Sequence, residues 1–121
     1  MARKILAVDD SKTMRDMVTF TLRQAGFDVM EAADGQKALD AMNGSKFDLI
    51  ITDINMPVMD GITLIKNVRT GTSHRGVPIL ILTTESDDAK KAAGKSAGAT
   101  GWLVKPFNPD KLVELVNRVC P

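Results

Sequence analysis

Short runs of uninterrupted apolar residues alternate along this chain with segments whose apolar positions recur every three or four residues. KILAV, DVMEA, LIIT, PILIL and WLV read as strands, and helical patterns follow them, giving five βα units. Within LII and ILIL no polar residue interrupts the run, so both faces of these strands are expected to be buried. That pattern calls for a parallel sheet with helices on either side. Between the first two strands Met14, Met17, Val18, Leu22 and Ala25 recur at helical spacing, with Gly26 as a stop. Leu112, Leu115, Val116 and Val119 repeat the pattern near the C-terminus, and both helices are predicted to cover the sheet. Repeats, low-complexity tracts and linkers are absent from the sequence. RTGTSHRGVP reads as the most flexible stretch, yet it is short enough to be a connection within one domain.

Composition narrows the classes of function. The 121 residues fit a single domain, 1–121, with 44% hydrophobic and 26% charged residues. A net charge of +1 gives no reason to expect a nucleic-acid or membrane surface. No apolar run approaches the ~20 residues of a membrane span. MARKILAVDD moves from basic residues directly into a strand, unlike a signal peptide, so a cytoplasmic protein is expected. One cysteine, Cys120, excludes an internal disulfide, and with one histidine, His74, leaves too few ligands for structural zinc. Any metal should therefore be oxygen-bound. His74 reads as a solvated loop residue and Cys120 as the frayed end of the last helix.

Open α/β sheets bind ligands at the carboxyl ends of their strands. Asp9 and Asp10 follow the first strand here, Asp53 the third, Thr83, Thr84 and Glu85 the fourth, and Lys105 with Pro106 the fifth. Taken singly, each has an ordinary reading: turn and helix cap for Asp9 and Asp10, loop acid for Asp53, cap for Thr83, solvated lysine for Lys105. Taken together they would be four coincidences at one edge of one sheet. If the first and third strands are neighbours, the three acids converge, and two charges ~4 Å apart repel by about 4 kcal/mol at an effective dielectric near 20. A cation is then required, and an all-oxygen site with few protein ligands suits Mg²⁺. In NMPVMDG, Pro57 restricts a turn, Asp60 can cap, Gly61 frees the backbone, and Met56 and Met59 are expected to pack in the loop.

The ordered set of DD after the first strand, DINMPVMDG, Thr83 after the fourth and KPF after the fifth resembles the bacterial response-regulator receiver domains, in particular the stand-alone CheY-like chemotaxis type. The resemblance implies a flavodoxin-like (βα)5 fold with strand order 2-1-3-4-5. Asp53 is then the acceptor of a phosphoryl group, and Mg²⁺ is held by Asp9, Asp10, Asp53 and the backbone carbonyl of Asn55. Lys105 and Thr83 contact phosphoryl oxygens, and the bond before Pro106 is cis. Asn55 and Glu85 modulate dephosphorylation, Thr83 and Trp102 form the switch, and Lys90, Lys91 and Lys95 lie on the output face. Trp102 departs from the Tyr, Phe or His usual there. The implied partners are a CheA-like histidine kinase and a FliM-like flagellar motor switch protein, with the chain monomeric. Such a protein is not an enzyme but a phosphoacceptor switch that assists its own phosphorylation and dephosphorylation.

Two other classes weigh less. Phosphohydrolases with an Asp nucleophile and Mg²⁺ carry DxD, whose second Asp protonates the leaving group; Asn55 stands there and cannot. Nucleotide-binding glycine motifs are absent after the first strand. Since the sequence ends at Pro121 with no room for a DNA-binding output domain, the expected output is binding to another protein. A phosphorelay intermediate or phosphate sink is the alternative to a motor effector.

Overall fold

Strands and helices alternate strictly in the computed structural model, which describes residues 3–120; Met1, Ala2 and Pro121, the ends of the span expected for the domain, lie outside it. The order is β1 (Lys4–Val8), α1 (Lys12–Gln24), β2 (Asp28–Ala32), α2 (Gly35–Gly44), β3 (Leu49–Thr52), α3 (Gly61–Thr70), β4 (Ile79–Thr83), α4 (Asp88–Ala97), β5 (Gly101–Val104) and α5 (Pro109–Val119). All strand pairings are parallel, in the order β2-β1-β3-β4-β5, so the expected CheY-like doubly wound fold is the one observed. β1 and β3 are neighbours, with Val8 opposite Thr52, which sets their carboxyl ends side by side.

Two apolar layers sandwich the sheet. Ile5, Ala7, Ile51 and Leu82 face α1 and α5 through Val18, Leu22, Leu112 and Val116. Leu6, Val8, Ile50 and Ile81 face the other side, where Ala38, Met42, Leu64, Ile65 and Val68 of α2 and α3 cover them. Every residue of β3 and β4 is buried, as the unalternating apolar runs require. α4 differs from its neighbours: its alanines leave Gly94 as its only buried residue.

Helix starts follow local chemistry. Ser11, Asp34, Asp60, Asp87 and Asn108 each cap a helix by accepting a backbone N–H. Ser11 rather than Asp9 or Asp10 caps α1, and Asp87 rather than Thr83 caps α4. Both changes leave those polar side chains free for the site.

Four expectations are corrected. The buried stripe of α1 is Val18, Thr19 and Leu22, while Met17 is 49% exposed, because the helix is turned slightly from the phase its apolar residues suggest. His74 is not solvated: it is 5% exposed, its Nε2 accepts the Phe47 N–H at 3.1 Å, and its Nδ1 lies 2.9 Å from Ser73 Oγ. Burial, followed by the nearby Lys46 charge, holds its pKa below the usual histidine value. Cys120 is buried among core residues with Sγ 3.6 Å from the Asp48 carbonyl, so the last helix does not fray at this residue. The loop after α3 is pinned by Arg69, whose guanidinium donates to the carbonyls of Arg75, Val77 and, through two nitrogens, Gly98.

Candidate functional site

The carboxyl ends of β1, β3 and β5 deliver the acids and the lysine to one place. Carboxylate oxygens of Asp9, Asp10 and Asp53 all lie within 4.8 Å of one another, with Asp9 and Asp53 buried and Asp10 exposed. Lys105 Nζ sits between two of them, 2.7 Å from Asp9 Oδ2 and 3.0 Å from Asp53 Oδ2. The Lys105–Pro106 peptide bond is cis, as expected. Two buried acids share one lysine, so negative charge stays in excess. Burial lifts the Asp9 carboxyl above its usual pKa against the pull of bonds from Lys105 and Ser11, and the Asp53 charge adds to the lift. Burial alone would lower the Lys105 ammonium, but its bonds to Asp9 and Asp53 outweigh it and hold the pKa above the usual lysine value.

The other carboxylate oxygens of Asp53 and Asp9 are also committed. Asp53 Oδ1 accepts the Ile54 N–H at 2.6 Å and Asp9 Oδ1 the Ser11 N–H at 2.9 Å. Behind Asp53 the chain turns so tightly that a Cβ on Gly61 would collide with the Asp53 carbonyl oxygen and reach 2.9 Å from Ile54 Cα. The need for glycine here is close approach rather than backbone freedom, since Gly61 has no positive φ. Met59 N–H donates back to the Pro57 carbonyl at 2.7 Å, and Val58 between them takes φ 69°, a strained three-residue turn for a β-branched side chain. Met56 and Met59 pack against the core, as expected of loop methionines.

Asn55 stands two residues beyond Asp53 on the exposed rim, and Thr83 is fully buried at the end of β4. Thr83 Oγ1 accepts the Glu85 N–H at 3.2 Å, which leaves its own proton to donate. The Glu85 carbonyl accepts the Trp102 indole N–H at 3.2 Å. Trp102 is half-buried and packs against the core, and Gly94 of α4 makes room for it: a Cβ there would lie 3.1 Å from Cζ3 of the ring. Lys90, Lys91 and Lys95 are exposed, and Lys91 and Lys95 border an open groove of about 310 Å³ with Trp102 as its apolar wall.

Arg15 was not among the residues the sequence singled out. Its Nη1 donates to the Asp9 carbonyl at 2.6 Å and its Nε to Glu31 Oε1 at 3.3 Å. The only sequence signal for it is an arginine on the first turns of α1, six residues past Asp9.

The donor set is all oxygen and anionic, which fits a hard divalent cation such as Mg²⁺ and excludes a thiolate or imidazole site. Among known proteins, the chain is 43% identical over 120 residues to chemotaxis protein CheY1 of Helicobacter pylori, covering 96% of this chain and 95% of that one. Chemotaxis protein CheY4 of Vibrio cholerae superposes with a TM-score of 0.94 at 51% identity, covering 98% of this chain and 99% of that one. The receiver domain of a Pseudomonas aeruginosa sensor histidine kinase superposes with a TM-score of 0.92 at 28% identity, over 99% and 98% of the two chains; it holds a magnesium ion in its active-site cleft. The family described as the response regulator receiver domain matches residues 5–117, nearly the whole sheet and its helices, and with the acid cluster at the carboxyl edge this chain belongs to that family.

Proposed function

We propose that this receiver accepts a phosphoryl group on Asp53 from a histidine kinase, in a Mg²⁺-dependent reaction, and thereby switches its binding to another protein. The observation that carries the reading is the meeting of Asp9, Asp10, Asp53 and Lys105 at one point, with negative charge in excess. Asp10, Asp53 and the Asn55 carbonyl would hold the cation, with Asp9 directly or through water. A bound Mg²⁺ supplies charge neutralisation between the nucleophile and the transferred group. An Asp53 carboxylate oxygen forms a bond to phosphorus as the P–N bond to the kinase histidine breaks. The electron pair leaves on the imidazole nitrogen, which is then protonated. Lys105, which bonds Asp53, and Thr83, whose hydroxyl proton is not used in its bond to Glu85, would donate to phosphoryl oxygens. Asn55 and Glu85 flank the group and set the approach of water.

The response runs through Thr83. A bond from its hydroxyl to a phosphoryl oxygen shifts the oxygen that now holds the Glu85 N–H, and the Glu85 carbonyl carries the shift to Trp102. α4, with a single buried residue, yields more readily than the other helices. The groove beside Trp102 and the lysines of α4 is the proposed output surface. The chemotaxis names of the relatives favour a flagellar motor switch protein as its target over a role as relay or phosphate sink.

Incubation with acetyl phosphate and MgCl₂ is expected to add one phosphoryl group by intact mass and to change Trp102 emission. Asp53→Asn should lose both, and Thr83→Ala should keep the mass change and lose most of the emission change. Full phosphorylation of Asp53→Asn would overturn the acceptor assignment. An unchanged emission in the phosphorylated wild type would remove Trp102 from the switch.

A further inference from the structure

Asp9 and Asp10 differ sharply in how they are held. All four polar groups of Asp9 are engaged: its N–H by the Ala32 carbonyl at 3.1 Å, its Oδ1 by Ser11, its Oδ2 by Lys105, and its carbonyl by Arg15. Asp10 is exposed, and among the described residues no hydrogen bond holds its side chain. The link between them is a planar peptide unit that contains both the Asp9 carbonyl and the Asp10 nitrogen. Fixing that carbonyl holds the peptide unit before Asp10, the Ser11 N–H on Asp9 Oδ1 holds the one after it, and the two together set the direction of the Asp10 Cα–Cβ bond between them.

Arg15 is the side chain that fixes the carbonyl. Its contact of 2.6 Å is short for an N–H···O bond and is assisted by the guanidinium charge. The guanidinium is oriented in turn by Glu31, which faces it from β2, and the Arg15 side chain is only 16% exposed. This arginine spans helix, edge strand and loop, and it spends its donors on a backbone carbonyl beside an acid cluster rather than on the carboxylates of that cluster.

We infer that Arg15 is a positioning residue that aims the Asp10 carboxylate at the cation by holding the Asp9 carbonyl. The inference rests on the Mg²⁺ site proposed above. It makes a prediction opposite in sign to plain electrostatics. Removing a positive charge next to a cation site should tighten cation binding if charge is all that Arg15 contributes. Removing an orienting partner should weaken it.

The test titrates MgCl₂ into the isotope-labelled full chain without phosphodonor and follows the Asp10 and Ser11 amide signals. Thermal melts show that each variant is folded at the titration temperature. Arg15→Gln is expected to weaken Mg²⁺ binding by about tenfold, the low end of what an outer-shell partner contributes. Arg15→Lys keeps the charge and one donor, and should lose less. Glu31→Gln, which frees the guanidinium, should fall between wild type and Arg15→Gln. Tighter or unchanged binding in Arg15→Gln overturns the assignment. Should that variant fail to fold, Arg15→Lys decides, and affinity equal to wild type overturns it. A wild-type chain whose signals do not respond to MgCl₂ overturns the metal site itself, a separate failure that removes the Arg15 role with it.

Discussion

The two halves of the carboxyl edge are held in different ways. On the β1–β3 half, Asp9 is tied through four groups, Asp53 through both carboxylate oxygens, and Gly61 packs directly against the Asp53 backbone. On the β4–β5 half, two hydrogen bonds of 3.2 Å meet at the Glu85 peptide groups, and the helix that follows buries one glycine. Under the proposed function the difference separates binding from response. A cation and a phosphoryl group need acids whose positions are fixed before they arrive, whereas a switch needs an element whose two arrangements differ by little free energy.

The stiff half breaks most easily at Gly61. Gly61→Ala forces the junction of β3 and α3 apart, since the contacts involve backbone that cannot swing away. It should cost about 3 kcal/mol, at the top of the overpacking range, and weaken Mg²⁺ binding as well; urea unfolding and MgCl₂ titration measure the two effects. A loss of stability with the metal affinity intact would show that Asp53 is not set by this junction.

Arg69 is the fixed point of the soft half. It donates twice to the carbonyl of Gly98, the left-handed residue that ends α4 at φ 114°. Burial pulls its pKa below the usual arginine value. Arg69→Leu leaves these carbonyls without their donor and should cost about 2 kcal/mol in urea unfolding. Hydrogen exchange should rise in α4 and the loop after α3, while Mg²⁺ affinity stays that of the wild type. A drop in metal affinity would show that the two halves are coupled more tightly than their contacts suggest.

The smallest effect on stability is expected at Gly94. Gly94→Ala gains about 0.5–1 kcal/mol of helix propensity, offset by contacts 2.7 Å from Ile81 Cδ1 and 3.1 Å from the Trp102 ring. Both are ends of side chains that can shift, so net stability should change by less than about 1 kcal/mol while Trp102 emission moves in the unphosphorylated protein. Unaltered emission would mean that α4 and the indole are packed less closely than their separation implies.

Much of this was legible in the sequence because it depends on residue types at fixed local spacing. LIIT and PILIL identify buried parallel strands, and the acids, Thr83 and Lys105 follow strands directly. What stayed hidden involves long-range contacts or backbone acceptors. His74 is buried by Phe47, 27 residues away, and Cys120 by Asp48, 72 residues away. Arg15 and Arg69 donate chiefly to carbonyls, which every residue has and no sequence pattern marks. The apolar pattern does not mark the phase of α1, because Met17 and Phe20 are apolar yet exposed, while polar Thr19 takes a place on the buried stripe.

The four bonds of Asp9 also bear on how this chain can vary. Ala32 on β2, Ser11 at the head of α1, Arg15 within it and Lys105 after β5 all converge on that one residue. Two of the four, Arg15 and Lys105, hold it through side chains, so changes at those two act on a shared position and their effects do not simply add. Once one tether is lost, Asp9 is already displaced, and losing a second costs less than it would alone. A lineage that gives up one of these two side chains is under weaker selection to keep the other, so Arg15 and Lys105 should be inherited and lost together.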